Sequence, residues 1–266
     1  MGIGKQIRMQ RLFAHPSGRF CSVAVDHLIS YGPGMPEGLR RVGHTLQEVV
    51  AARPDAVTMH KGIVTSLWGP YAGVVPLILQ TALAKVDGEP TGMLANAEDA
   101  VRLGADAVAT ARFLRGHTEI ERLVTVADLV RQAAAYDMPV IFHVYPRKLD
   151  GEPRVSFDPD DLAWAVRCAV EVGADVVKAP YCGDPLAQAQ IVADCPVPLV
   201  AAGGPQTRTL EAALQMMGDA VKAGMRGATI GRNIWGVAAI KAATLAFKAV
   251  IHDGASPQEA MRQAGL

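Results

Sequence analysis

Short apolar runs alternate along the chain with longer amphipathic stretches, and the junctions between them repeat. A helical stretch ends in glycine, a brief polar step follows, and an apolar strand begins. This reads as Leu103-Gly104-Ala105-Asp106-Ala107-Val108, again as Val172-Gly173-Ala174-Asp175-Val176-Val177, and more loosely as Ala223-Gly224-Met225-Arg226-Gly227-Ala228. Glycine supplies the left-handed helix C-cap from which the chain turns straight into the next strand. Two other strand entries begin at proline, Met138-Pro139-Val140-Ile141 and Val197-Pro198-Leu199-Val200. Helix starts are as legible. Asp158-Pro159 and Asp184-Pro185 set an N-cap before a proline at the first helical position. Ser256-Pro257-Gln258-Glu259 has the form of a capping box, and Asn96 caps the helix that ends at Gly104.

This pattern predicts eight strands, near Phe20–Val25, Ala56–His60, Val74–Thr81, Ala107–Thr110, Val140–Val144, Val176–Lys178, Leu199–Ala202 and Ala228–Ile230. Helical stretches separate them, with the third-to-fourth link the least defined. Strands alternating with helices mean a parallel sheet, and eight of them at this length mean a closed one. The expected architecture is α/β, a (β/α)8 TIM barrel forming a single domain over 1–266. An open doubly wound sheet is the alternative, weakened because no GxGxxG follows the first strand. No linker, low-complexity stretch or second domain breaks the pattern.

Composition narrows the function. The 266 residues are 50% hydrophobic and 20% charged, enough for a sizeable core. The 26 basic and 26 acidic side chains cancel, which argues against a nucleic-acid or membrane-surface partner. No apolar run approaches the length of a membrane span; Val237 to Val250 is broken by Lys241 and Lys248. Cys21, Cys168, Cys182 and Cys195 show no CxxC spacing and read as reduced thiols of a cytoplasmic protein.

In such a barrel, chemistry collects where strands end. Lys178 closes the run Ala174-Asp175-Val176-Val177-Lys178 between apolar walls. Burial there disfavours the ammonium form, and a neutral amine attacks carbonyls to form a Schiff base; a structural ion pair is the plainer use. Asp26 ends the first strand, beside which it can hold the lysine and move protons, or simply cap a turn. Tyr145 ends the fifth strand and can serve the oxygen of a bond being cleaved, or plug the rim. Gly203 and Gly204 after strand seven, with Gly231 and Arg232 after strand eight, have the form of a barrel phosphate site. His27 also stands at the mouth, and Lys61 and Arg147 are further cations for a second anionic group. Three imidazoles, His27, His60 and His143, form a rival set for a metal-dependent lyase.

Together the motifs Val25-Asp26-His27, Met59-His60-Lys61-Gly62-Ile63-Val64, Val144-Tyr145-Pro146-Arg147, Ala174-Asp175-Val176-Val177-Lys178, Tyr181-Cys182-Gly183-Asp184, Ala202-Gly203-Gly204-Pro205 and Ile230-Gly231-Arg232-Asn233-Ile234 resemble the archaeal-type class I fructose-bisphosphate aldolases. That group includes aminodideoxyheptulosonate synthases and a thiolase acting on phosphorylated autoinducer-2. The resemblance runs from about Phe20 to Asp253. It implies a barrel aldolase with its Schiff base on Lys178, acid–base chemistry on Tyr145, the first-strand carboxylate on Asp26, and a phosphorylated small-molecule substrate held by Gly203, Gly204, Gly231 and Arg232. It implies no metal, no cofactor beyond the covalent lysine, and a homo-oligomer, often a ring-based decamer. A transaldolase- or thiolase-type transfer on the same scaffold is the alternative, and a sugar-phosphate sensor without turnover a further one. The chain departs from the family pattern at His143, at Lys148 where glycine is usual, at Ala179-Pro180, at Gln206 and from Tyr71 to Asn96, above all Leu83 to Gly92. These departures fall where the rest of the substrate would lie.

Overall fold

The computed structural model describes residues 1–29, 34–86 and 92–266. Eight parallel strands close into a barrel: β1 (Phe20–Ala24), β2 (Ala56–His60), β3 (Leu77–Gln80), β4 (Ala107–Leu114), β5 (Val140–Lys148), β6 (Val176–Ala179), β7 (Leu199–Ala202) and β8 (Gly227–Ile230). They pair in sequence order, and β8 returns to β1 with Phe20 beside Gly227 and Val23 beside Ile230. The TIM barrel expected from the strand–helix alternation is therefore the fold.

Side chains alternate across each strand, and here the two faces have separate jobs. The outward set, such as Val57, Met59, Leu77, Leu79, Val177 and Leu199, packs beneath the helices in the main hydrophobic core. The inward set changes character along the barrel axis. At the bottom, Phe20, Ile78, Ala107, Ile141, Val176 and Val200 form an apolar plug closed by Leu12 of the helix Ile3–Leu12. One step higher the same strands turn Ser22, Thr58, Gln80, His143, Lys178 and Thr229 inward, all buried. The Ser22 hydroxyl donates to Thr229 Oγ1 at 2.8 Å, which satisfies two groups that the barrel would otherwise strand.

The predicted punctuation holds. Gly104, Gly173 and Gly224 all take left-handed φ values, of 69°, 91° and 96°. Asp158 and Asp184 each accept two backbone N–H groups at their helix starts, and Asn96 with Asp99 forms a complete capping box. At Ser256 the side chain accepts from the Glu259 N–H. Three features differ from the pattern. β3 starts at Leu77 rather than Val74, because Pro76 brings no N–H to a ladder and restrains the residue before it. β4 continues to Leu114 and β5 to Lys148, paired from Val108–Val140 to Leu114–Pro146; the alanines of β4 carry little strand propensity to announce this. The helix Ile3–Leu12 carries only one fully buried residue, so its sequence gives a weak signal. Of the divergent stretch Leu83 to Gly92, residues 87–91 lie outside the described residues; its flanks pair as a short antiparallel ribbon, Ala82–Leu83 with Gly92–Met93.

Candidate active site

Above the polar layer the barrel opens into a cavity of about 820 Å³. Lys178 stands in its floor and is only 4% exposed. Among the described residues no carboxylate lies within ion-pair distance of its amine. Tyr145 lines the cavity from β5 with its ring stacked on Phe113, centroids 5.2 Å apart. That contact fixes the phenol against the rim, since two inward positions on adjacent strands face each other there (Phe113 pairs with Tyr145).

Behind the floor lies a linked set of buried polar groups. His27 Nδ1 is 3.1 Å from Asp26 Oδ1, and the Gln80 amide N–H donates to Asp26 Oδ2 at 2.9 Å. Gln80 Oε1 accepts from the Ala82 N–H, which sets the amide's orientation and turns its nitrogen toward His143 Nδ1, 3.5 Å away. Burial pushes the Asp26 carboxyl upward. The hydrogen-bonding and charge of His27, with Lys178 and His60 nearby, outweigh that and hold it well below the usual carboxylate range. Burial drives both imidazoles the other way from a free histidine: His27 is lowered despite the pull of Asp26, and His143 well below the ordinary value with Lys178 adding to the effect. The layer thus holds a carboxylate and two imidazoles beside the lysine, each with its proton affinity lowered.

Between Lys178 and His27 the floor is made by the loops after β7 and β8, largely of backbone. Gly203, Gly204, Gly231 and Arg232 line the cavity together. A Cβ on Gly231 would sit 2.5 Å from His27 Cε1, so only glycine lets the chain pass that ring; Gly204 has φ 70°. Arg232 Nη2 donates to Gly204 O at 3.0 Å. Asn233 ties the two loops: its amide donates to Gly203 O and Pro205 O at 2.8 and 3.0 Å, and its Oδ1 accepts from the Thr207 N–H at 3.0 Å.

The chain that carries this buried lysine, with a phenol on the strand before it and a glycine–arginine cradle after the two strands that follow it, matches known proteins. Residues 20–236 fit the family of DeoC/LacD aldolases. The chain belongs to that family. A relative from Halobacterium salinarum, 2-amino-3,7-dideoxy-D-threo-hept-6-ulosonate synthase, is 34% identical over 99% of this chain and 97% of its own length. The crystal structure of an archaeal fructose 1,6-bisphosphate aldolase superposes with a TM-score of 0.84 at 30% identity, covering 94% of this chain and all of the other. Another archaeal fructose-1,6-bisphosphate aldolase, solved with its catalytic lysine covalently bound to the carbinolamine intermediate of the substrate, gives 0.83 at 29%, over 93% of this chain and 99% of the other.

In this family member the residues singled out from sequence divide into three groups. Lys178, Tyr145, His27, Gly203, Gly204, Gly231 and Arg232 line one cavity. Asp26 does not line it; the carboxylate, 6% exposed, borders a separate apolar groove and meets the cavity only through His27. Lys61 and Arg147 do not reach it either. Lys61 opens the helix Lys61–Leu67, and its amine is 2.6 Å from Asp99 Oδ1 over a separate apolar groove. Arg147 is buried, with its guanidinium donating to Val86 O at 3.0 Å and Arg115 O at 2.6 Å, so it fastens the loops after β3 and β4.

His27, His60 and His143 do not converge. His27 lies on Asp26, His60 Nε2 is 3.2 Å from the Asp26 carbonyl, and His143 faces Gln80. Among the described residues no cluster of three or more His, Cys, Asp or Glu side chains is arranged to hold a metal ion. Sequence reasoning gave no role to Gln80, Phe113 or Asn233. A period-two reading would have exposed Gln80, a lone polar residue two places after Ile78 in the run Leu77-Ile78-Leu79-Gln80.

Proposed function

We propose that this cavity is the active site of a class I aldolase acting on a phosphorylated ketose, with Lys178 as the Schiff-base nucleophile. The observation that carries the reading is a lysine buried in the barrel floor, without an ion-pair partner among the described residues, opening onto a cavity it shares with Tyr145 and the glycine–arginine cradle.

In cleavage, the phosphate rests on the backbone of Gly203, Gly204 and Gly231 and on Arg232. Lys178 Nζ adds to the ketose carbonyl, and the carbinolamine loses water to give a cationic imine. Tyr145 protonates the hydroxyl that leaves the carbinolamine as water, the imine draws the electron pair of the neighbouring C–C bond, the Tyr145 phenolate takes the proton of the hydroxyl on the departing carbon, and an aldehyde leaves. Tyr145 returns that proton to the enamine carbon, and water adds to the resulting imine, giving one proton back to Tyr145 as the second product leaves Lys178. The covalent imine is itself the electron sink, so the chemistry calls for no cofactor. Asp26 acts as a positioning group, keeping His27 and the lysine's surroundings fixed by charge. The phosphate contributes binding energy remote from the bond that breaks.

The halobacterial relative is a synthase, which supports a second outcome on the same residues: the enamine on Lys178 is passed to an acceptor other than the original aldehyde. On the same reading the protein is a cytoplasmic homo-oligomer. Four free thiols support the compartment. Exposed Ile120 and Val124 on the helix Glu119–Ala134 supply apolar surface for a subunit contact.

The test is borohydride trapping. Incubation with dihydroxyacetone phosphate, and separately with a panel of ketose phosphates, is followed by reduction and peptide mass mapping. A reduced adduct on Lys178 is the expected result. Absence of any adduct, together with chelator-sensitive turnover, would overturn it.

A further inference from the structure

The cavity has a second wall, and it is not built like the first. After β5 the chain folds back as a short strand, Arg154–Val155, antiparallel to Arg147–Lys148, with Lys148 directly opposite Arg154. Both cations line the cavity. β5 and β8 are separated by β6 and β7, so this wall stands well round the mouth from Gly231 and Arg232.

Two like charges paired across a ribbon repel each other, and their surroundings compensate only one. Arg154 is held by Asp150 at 2.9 Å. Among the described residues the Lys148 side chain makes no hydrogen bond or ion pair, and it feels Asp150 only at longer range. Asp158, the acid on this wall, commits Oδ1 to the N–H groups of Asp160 and Asp161. Lys148 is therefore a cavity-facing charge in need of an anion.

The surface between Tyr145 and Lys148 has a different chemistry again. Phe113, Pro153, Val155 and Phe157 line it. Ser156 is the hydroxyl there, and it is already spent, donating to Asp161 Oδ2 at 2.7 Å and accepting from the Asp158 N–H. A chain of sugar hydroxyls laid along this wall would lose water and gain no partner, at a cost for each group. A methylene chain would lose nothing.

We infer that the aldehyde half of the substrate has an apolar stem and ends in an anion, a carboxylate or a phosphate, taken by Lys148 with Arg154 in support. This names the substrate class for the site proposed above and rests on that reading.

The experiment is aldol addition of dihydroxyacetone phosphate to a set of aldehydes that varies stem and charge independently. Butanal is apolar and neutral, glyceraldehyde polar and neutral, succinic semialdehyde apolar with a carboxylate, phosphooxypropanal apolar with a phosphate, and glyceraldehyde phosphate polar with a phosphate. The expected order places succinic semialdehyde or phosphooxypropanal first, about tenfold or more in kcat/KM above both butanal and glyceraldehyde phosphate, as one charge-assisted contact or one unmatched hydroxyl implies; the better of the two identifies the anion. Lys148→Ala should reduce the ratio of anionic to neutral apolar aldehyde by about tenfold, and Lys148→Arg should restore most of it. Glyceraldehyde phosphate matching phosphooxypropanal would overturn the apolar stem. Butanal matching succinic semialdehyde and phosphooxypropanal, or Lys148→Ala slowing every aldehyde equally, would overturn the anion. Borohydride trapping with dihydroxyacetone phosphate runs alongside: an adduct on Lys178 without the expected aldehyde order sinks this inference alone, whereas no adduct sinks the aldolase reading and this one with it.

Discussion

The two ends of the barrel interior are written on the same strands and differ by two residues. Phe20 and Ser22, Ile78 and Gln80, Ile141 and His143, Val176 and Lys178 are successive inward positions. The first of each pair belongs to a dry plug, and the second to a layer of polar and titratable groups beneath the cavity. Strand geometry makes this division possible: a rise of about 3.3 Å per residue puts these layers only about 7 Å apart. Stability and chemistry therefore need not compromise at a single position. The lower layer is free to maximise apolar burial, and the upper one can hold a lysine, a carboxylate and imidazoles because the plug and the outer core keep the strands in place.

That comparison is broken most sharply from the top. Lys178→Met conserves much of the side-chain volume and removes the amine, so turnover should fall by about 10⁴-fold or more, the scale seen when a covalent nucleophile is lost. Thermal unfolding should show a folded barrel. A variant that keeps normal turnover removes Lys178 from the nucleophile's role; one that unfolds shows that the polar layer also supports the fold.

From the bottom the reverse outcome is expected. Phe20 is buried in the plug and packs on Phe13 with centroids 5.3 Å apart. Phe20→Ala should cost about 3–5 kcal/mol of unfolding free energy, the usual loss for a large buried aromatic. Turnover per folded molecule should change little, measured at a temperature where the variant is still folded. A large fall in kcat without loss of stability would mean that the plug sets the position of Lys178, and the two ends would no longer be separable.

An intermediate case lies at the rim, in the loops after β7 and β8. Asn233→Ala leaves Gly203 O, Pro205 O and the Thr207 N–H without their side-chain partner. Unmet groups of this kind cost about 1–3 kcal/mol. The loss should appear as a raised KM for phosphorylated substrates, about tenfold or more, with kcat less affected. Unchanged KM would show that the β7 and β8 loops hold their shape without this link.

How much of this was legible in the sequence follows the same axis. The strand–helix rhythm, the glycine C-caps and the Asp-Pro helix starts are local signals, and they place all eight strands. The strand-end rule brings Lys178, Tyr145, Gly203, Gly204, Gly231 and Arg232 to one cavity. What the sequence hides is pairing between distant segments. Nothing local says that Arg147 will be consumed by carbonyls at Val86 and Arg115, that Lys61 will turn to Asp99, or that Asp26 will border a neighbouring groove rather than the cavity. Nor does it show the return strand Arg154–Val155, whose two residues are too few to form a pattern and yet make the second wall of the site.

The smallest effect separates the two layers by pH. His143 is held well below the ordinary imidazole value by burial, with Lys178 adding to it and Asp26 opposing; His27 is lowered and Asp26 is lowered too. In each case the unfolded chain takes up its proton at a higher pH than the folded one does. Stability from these groups is therefore complete above the unfolded values, about 6.5 for histidine and 3.9 for aspartate, and is lost as pH falls from there toward the folded values. The charged and titratable groups facing His143 are Lys178, Asp26 and His27. His143→Gln keeps a polar partner for Gln80 and removes one titration, so it should flatten the acid slope just below pH 6.5 by up to about 1.4 kcal/mol per pH unit. Urea unfolding at several pH values between neutrality and pH 5 reads this directly. Phe20→Ala, in the plug, should lower the whole curve and leave its slope alone. If His143→Gln keeps the full slope, the acid sensitivity belongs to His27 or to groups outside the barrel. If Phe20→Ala also changes it, loosening the plug has let water or charge into the layer above, and the two layers are coupled.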